Sequence, residues 1–254
     1  MPRFAANLSF LFTERPFAER FGAAAEAGFE AVECLFPYEQ AAETTAALLR
    51  AHDLTLALFN APPGDWAAGE RGLAALPGDE DRFTAAVAEA RAYAAVARPG
   101  RIHLMAGLAE GLDARATYVA NLRGACAAAP DLAFTVEPIN GRDMPGYHLR
   151  RLADALDVIE AVGAPNLSLQ LDLYHRQIEE GDVTRAIEAA APVLGHVQVA
   201  GVPDRNEPDG GELAFGRLMD ALDRVGFAGF VGCEYRPAGR TEDGLGWFAP
   251  FRRR

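Results

Sequence analysis

Eight short runs rich in Val, Ile, Leu and Phe alternate with alanine-rich amphipathic stretches from one end of this chain to the other. No other feature restricts the fold so sharply. The strand-like runs cover residues 3–9, 29–34, 54–59, 101–105, 132–137, 166–172, 194–200 and 229–235. The helical stretches lie near 16–27, 41–52, 80–97, 113–129, 149–162, 182–191 and 212–225. Strands spaced by helical segments imply parallel pairing, because the chain must cross back before each new strand begins. With 254 residues the chain matches the roughly 250 that a closed barrel of eight such units needs. The expectation is α/β: a single (β/α)8 TIM barrel filling one domain, 1–254. The rival is an open doubly wound sheet. It lacks its usual marks, since no GxGxxG follows the first run and no GxxxxGK[ST] occurs.

Four of these runs turn polar at their ends. LAFTVE ends at Glu137, NLSLQLD at Asp172, and GFVGCE at Glu234, while LGHVQV carries Gln198. They are 35, 26 and 36 residues apart, about one strand–helix unit each. A parallel barrel gathers such residues on one rim, where its sites are built. Three carboxylates and an amide at close quarters repel unless a hard cation neutralises them, so the four read as metal ligands. An all-oxygen set suits Mg²⁺ or Mn²⁺ better than Zn²⁺. The alternative for each one is a helix cap or an arginine partner. A cation holding adjacent carbonyl and hydroxyl oxygens acidifies the carbon-bound proton between them. Glu137 and Glu234, on the first and last of the four strands, are the expected catalytic pair: one takes that proton and the other returns it to the neighbouring carbon.

Other side chains are candidates for substrate binding. His175 lies three residues beyond Asp172 in DLYH. Arg205, in the loop after Gln198, has the planar fork that matches a carboxylate, and Arg71 is the second such cation. Each arginine has acidic neighbours that it could pair with instead. Trp66 is read as an apolar wall; His103, in the fourth run, is read as facing either the barrel interior or the core. Glu33 reads as reaching substrate or capping a helix, and His196 as a buried, hydrogen-bonded group one layer below Gln198. Residues 60–80 form the longest irregular stretch, expected to cover the rim of the site or to run as a solvated connection. The C-terminal TEDGLGWFAPFRRR is aromatic and basic, and is expected to pack across the barrel bottom or against a partner subunit. On that basis a homodimer or homotetramer is expected.

Composition excludes several classes. All 24 basic residues are arginine, so chemistry through a lysine Schiff base is ruled out. A formal net charge of −12 argues against nucleic-acid and anionic-membrane partners, since both need positive charge. No apolar run reaches the roughly 20 residues of a membrane span, and no signal-like segment opens the chain. Cys34, Cys126 and Cys233 form no CxxC, which points to a reducing compartment and a cytoplasmic location.

Longer motifs add a resemblance. GFEAVECLFPY, NAPPGDWAAGERG, VEPINGRDMPGYH, LQLDLYH, GHVQVAGVPDRNEPDGGEL and GFVGCEYRP look like the hydroxypyruvate isomerase family of xylose isomerase-like barrels. The resemblance covers nearly the whole chain. It implies one divalent metal, no organic cofactor and a small 2-oxo acid substrate. It also implies ligands at Glu137, Asp172, Gln198 and Glu234, with the two glutamates as acid–base residues. ALFNAPPGD, HLMAG, VPDRNEPDGGEL and TEDGLGWF are more similar to the related 2-oxotetronate isomerases, and VEPINGRDMPGYH to hydroxypyruvate isomerase itself. Hydroxypyruvate to tartronate semialdehyde is taken as the first reaction and 2-oxotetronate isomerisation as the alternative. A ketose 3-epimerase and a non-catalytic metal-binding barrel are remoter readings.

Overall fold

The computed structural model describes residues 2–252. Eight strands form a closed barrel in chain order, every neighbouring pair parallel. They are β1 (Arg3–Asn7), β2 (Ala31–Cys34), β3 (Thr55–Asn60), β4 (Arg101–His103), β5 (Phe134–Val136), β6 (Leu167–Asp172), β7 (Leu194–Val199) and β8 (Phe230–Cys233). Outside them run α1 (Phe17–Glu26), α2 (Ala42–Ala51), α3 (Glu80–Ala97), α4 (Gly111–Ala128) and α5 (Leu152–Val162). The ring continues with α6 (Leu173–Glu179), α7 (Val183–Ala190) and α8 (Phe215–Arg224). The main apolar core lies between strands and helices, where Phe59, Phe134, Leu169, Val197 and Val231 meet the alanine-rich helix faces.

The barrel interior is different in kind. Ala5, Ala31 and Ala57 close its lower end against Phe230. Above them the inward positions are polar and buried, among them Glu33, Thr135, Gln170 and His196. Alternation along each strand sends every second residue inward, so Thr135 is followed inside by Glu137, Gln170 by Asp172, and His196 by Gln198. Parallel register then sets Asn7 beside Glu33, Asn60 beside His103 and Asp172 beside Gln198. The ring of polar strand ends is thus a direct product of phase and register.

Room for this interior comes from missing side chains. A Cβ on Gly232 would lie 2.3 Å from both carboxylate oxygens of Glu33. Gly232→Ala is therefore expected to push Glu33 off its partners and to cost about 1–3 kcal/mol, as overpacking does. Urea denaturation against the parent protein measures it.

One helix was not read from the sequence: α6 begins directly after Asp172. Asp172 caps it, its Oδ1 accepting from the Tyr174 N–H at 2.8 Å. The C-terminal segment Thr241–Phe251 is a 3₁₀ helix that completes the outer ring after β8. Its Trp247, Phe248 and Phe251 rings pack on Phe4, with centroids 5.3, 5.8 and 4.9 Å away. Phe248 also stacks on Phe29 at 4.2 Å. The aromatic groups that raised the expectation of a partner are spent on their own barrel; Arg253 and Arg254 of that motif lie outside the described residues.

The second half of the 60–80 loop is docked. Gly72 bridges to Ala106, and the Ala75 N–H donates to the Ala106 carbonyl at 2.7 Å. Gly72 has φ +117, and a Cβ there would meet the Met105 carbonyl oxygen at 2.4 Å, so only glycine lets the loop approach β4 this closely. The loop does cover the rim, as a fixed wall over its docked half. No helix among the described residues is long and apolar enough to cross a membrane.

Candidate active site

A cavity of about 560 Å³ opens at the C-terminal ends of the strands. Glu137, His103, His175, Arg205 and Glu234 reach it from β4 to β8 and their loops, with Arg71 and Trp66 at the 60–80 side. Glu137 sits one residue past β5 and Glu234 one past β8, while Asp172 ends β6 and Gln198 is the penultimate residue of β7. All four are buried, from 1% to 7% exposed. Of the four residues expected to hold a metal, Glu137 and Asp172 come together, with His175 as their third member. Glu234 and Gln198 lie beside them, hydrogen-bonded to each other and to Arg205, Asn7, Glu33 and Gln170.

The two glutamates are held unequally. Glu234 Oε1 accepts from Arg205 Nη2 at 2.6 Å, and its Oε2 accepts from Asn7 Nδ2 at 3.0 Å and Gln198 Nε2 at 2.7 Å. Glu137 Oε1 is buried with no hydrogen-bond partner, as is Asp172 Oδ2. Unsatisfied buried oxygens cost free energy; Asp172 Oδ2 is offset in part by Arg205 Nη2 at 3.6 Å, and a cation could satisfy both oxygens. Donor atoms of Glu137, Asp172 and His175 lie within 4.8 Å of one another, a buried group that could hold a metal ion.

His175 adds a nitrogen to this group. The Asn140 side-chain nitrogen lies 2.6 Å from its Nδ1, while the Asn140 oxygen takes the Asp143 N–H. Its Nε2 lies 3.6 Å from Asp172 Oδ2 and 3.4 Å from Arg205 Nη2, which can only donate. Burial, with the nearby Arg205 charge, holds the His175 pKa well below its ordinary value, so the ring stays neutral.

Burial sets the charges of the carboxylates as well. It raises Glu137 well above the usual carboxylate range, with repulsion from Glu234 and Asp172 adding to it. Burial pushes Asp172 up to about 6 against the pull of Arg205 and two backbone N–H groups. Burial likewise takes Glu234 to about 8, although Arg205 lowers it. For Arg205 itself burial works toward a lower pKa, but Glu234, Asp172 and Glu137 outweigh it and keep the group firmly charged. Arg205 is sandwiched by the Phe10 and Tyr174 rings, 5.3 and 4.8 Å from its guanidinium carbon. Its Nη2 and Nε donate to Glu234, Nη2 also stands 3.6 Å from Asp172 Oδ2, and Nη1 lies 3.9 Å from Asp143 Oδ2.

Arg71 lies over the Trp66 ring at 4.0 Å and donates to the Trp66 and Glu70 carbonyls. The Glu70 carboxylate, expected to compete for it, is instead taken by Arg82. Trp66 packs on Phe36 at 5.2 Å and is 39% exposed, an outer wall of the cavity.

Beneath the site, Glu33 neither reaches the cavity nor caps a helix. Its carboxylate accepts from His196 Nε2 at 2.6 Å, Asn7 Nδ2 at 3.0 Å and Gln198 Nε2 at 2.8 Å. This fixes the Gln198 amide with its nitrogen downward; the oxygen accepts from Gln170 at 2.8 Å. His196 has the buried, hydrogen-bonded place expected of it. His103 does face the interior, 3.5 Å from Glu137, and burial beside His196 lowers its pKa to about 3. Asn7, Asn60, Gln170 and Asn140 were not singled out from the sequence. The rule that found Asp172 reaches three of them: Asn7 ends β1, Asn60 ends β3, and Gln170 lies two residues before Asp172.

Comparison with known proteins places this geometry. A family model described as xylose isomerase-like TIM barrel matches residues 21–251. A 2-oxo-tetronate isomerase of Cupriavidus necator is 53% identical over 257 residues, covering 99% of both chains. A hydroxypyruvate isomerase of Escherichia coli is 42% identical over 258 residues, covering 99% of this chain and all of its own. A crystal structure from Brucella melitensis, described as an AP endonuclease of family 2, superposes over the full length of both chains with a TM-score of 0.97 and 51% identity. From its barrel, its rim of carboxylates and these full-length relatives, the chain belongs to the xylose isomerase-like TIM barrels, in the group that holds the hydroxypyruvate and 2-oxo-tetronate isomerases.

Proposed function

We propose that the protein is a metal-dependent isomerase that shifts the carbonyl of short 2-oxo acids from C2 to C3, with a four-carbon 2-oxo-tetronate, which gives the 3-oxo acid, as its first substrate. The observation that supports the metal is the buried cluster of Glu137, Asp172 and His175, in which Glu137 Oε1 and Asp172 Oδ2 accept no hydrogen bond. Glu137, Asp172 and His175 would hold the ion. Gln198 and Glu234, the other two ligands expected from the sequence, would have to release the Gln170 and Arg205 hydrogen bonds that now occupy their oxygens to join an oxygen-rich set for Mg²⁺ or Mn²⁺. The ion would supply Lewis acidity to the adjacent carbonyl and hydroxyl oxygens of the substrate.

The chain's own groups do the rest. One glutamate of the Glu137–Glu234 pair takes the proton from C3, and the C–H electrons form the C2–C3 double bond of a planar enediolate. The other glutamate gives a proton to C2. The hydroxyl proton on O3 passes to O2 as the C3 carbonyl forms, so the product is an isomer with no atom gained or lost. The two roles exchange when the reaction runs backward. Arg205 offsets the charge gathered on Glu234 and Asp172, and its Nη1 is the edge turned to the substrate carboxylate. Arg71 and Trp66 close the outer side of the site.

The order of substrates follows the relatives: 53% identity to the 2-oxo-tetronate isomerase against 42% to the hydroxypyruvate isomerase reverses the order that the motifs alone suggested. Hydroxypyruvate remains the second reading, favoured by VEPINGRDMPGYH, which carries Glu137. For the endonuclease described in the Brucella structure, a basic nucleic-acid face would be needed, and the net charge of −12 speaks against that here. Proton NMR of the Mn²⁺- and Mg²⁺-loaded protein with each acid tests the proposal. The expected result is conversion of both, faster for the four-carbon acid. Failure to convert either, with metal bound, would refute it.

A further inference from the structure

Two polar side chains on the cavity wall have no place in the metal set or the acid–base pair. Asn60 ends β3 and His103 ends β4, and register makes them direct neighbours. They are 4% and 1% exposed, and both line the cavity. Asn60 Oδ1 and both ring nitrogens of His103 lack hydrogen-bond partners. Glu137 Oε2 stands 3.5 Å from His103 Nδ1, too far for a good hydrogen bond. Asn60 Nδ2 has only the Met105 sulfur, 3.9 Å away. The backbone around Asn60 is fixed, since its carbonyl accepts from the Tyr38 hydroxyl at 2.8 Å.

Each such orphan costs about 1–3 kcal/mol in the free protein, so this wall is built for something that fills it. A neutral imidazole offers one N–H, and the Asn60 oxygen offers a lone pair. One hydroxyl group meets both needs: it donates to Asn60 and accepts from His103. The barrel places this pair four strands away from β7 and β8, across the site from Arg205 and Glu234. A substrate with its carboxylate toward Arg205 therefore extends its far end toward β3 and β4.

We infer that Asn60 and His103 form a hydroxyl-binding subsite that reads the C4 hydroxyl of a four-carbon 2-oxo acid and so sets the chain length the enzyme prefers. This rests on the isomerase reading above and deepens it. Hydroxypyruvate ends at C3 and leaves both groups unsatisfied. Sites that hydrogen-bond a substrate hydroxyl discriminate against analogues lacking it by as much as about 10⁴–10⁵-fold.

The test compares the Mn²⁺-loaded parent protein with Asn60→Leu and, independently, His103→Asn. Two readouts are taken: kcat/KM for 2-oxo-tetronate and for hydroxypyruvate, and calorimetric binding of the non-isomerisable reduced acids erythronate and glycerate. The expected result is a four-carbon preference in the parent that falls about 100-fold in either variant, in kcat/KM and in binding alike. A ratio unchanged in a folded variant, with both acids losing equally or neither losing, would overturn the subsite and mean that ordered water alone fills it. Should Asn60→Leu fail to fold, His103→Asn gives the same reading. If neither 2-oxo acid is converted yet erythronate binding still exceeds glycerate binding and is lost in the variants, the subsite stands and the isomerase reading falls.

Discussion

At saturating Mn²⁺, a Glu137→Gln variant is expected to lose about 10³–10⁴-fold in kcat while keeping its fold, because it removes a general acid–base group; as Glu137 is also a proposed ligand, more metal is needed for saturation. The amide is nearly the same size, and Glu137 Oε1 has no protein hydrogen bond to lose. What disappears is the ability to carry a proton at a position where burial and two neighbouring carboxylates make the group unusually basic. Glu234→Gln should behave differently. Its oxygens accept from Arg205, Asn7 and Gln198, so an amide there turns a donor toward other donors and disturbs the site as well as the chemistry. Steady-state kinetics by NMR, with the melting temperature of each variant alongside, separates the two: kcat alone falls for Glu137→Gln, and kcat and stability fall together for Glu234→Gln.

The second large effect is on stability. In the metal-free protein the folded state holds Asp172 at about 6 and Glu234 at about 8, against ordinary values of 3.8 and 4.5. Both shifts are upward, so the folded protein keeps protons that the unfolded chain releases. The favourable contribution is fully present below the unfolded values and is lost as pH rises through the folded ones. Metal-free stability should therefore decline between about pH 4 and pH 8, by on the order of several kcal/mol. Divalent metal should reverse the slope, because its ligands bind as carboxylates and the ion relieves their repulsion. At 100 times its dissociation constant the ion adds about 2.7 kcal/mol. Urea denaturation with EDTA or Mn²⁺ at several pH values measures this: falling stability with the chelator and flat or rising stability with Mn²⁺.

Alternation of pattern was enough to read the barrel, because each strand is an apolar run and each helix an alanine-rich amphipathic one. The rim position of Glu137, Asp172 and Glu234 was legible for a related reason: each carboxylate stands at the end of an apolar run, where strand phase sends it to the mouth of the barrel. The floor beneath them was not. Glu33 stands at the end of β2 like the ligands do, but it turns to His196, Asn7 and Gln198 rather than to the cavity. That choice depends on Gly232 leaving space across the barrel, a long-range fact that no local pattern carries. Asn60 was obscured likewise, since its meaning lies in what it fails to touch, whereas His103 was already a candidate from its place in the fourth run. The packing of the C-terminal 3₁₀ helix was left between two alternatives because its aromatic side chains look alike whether they serve a partner or their own β1; the structure takes the second. The short α6 escaped notice because its start is signalled by Asp172, whose Oδ1 caps the helix while its Oδ2 is left for the site.

The central claim is a proton relay between two different carboxylates. The most direct measurement is isomerisation in D₂O by the Mn²⁺-loaded protein, followed by NMR at the carbon that receives the proton, with an enzyme-free control. If one glutamate takes the proton and the other returns one, each product molecule should carry solvent deuterium at that carbon. Product bearing the original hydrogen throughout would mean a direct transfer between carbons, and would contradict the roles assigned to Glu137 and Glu234.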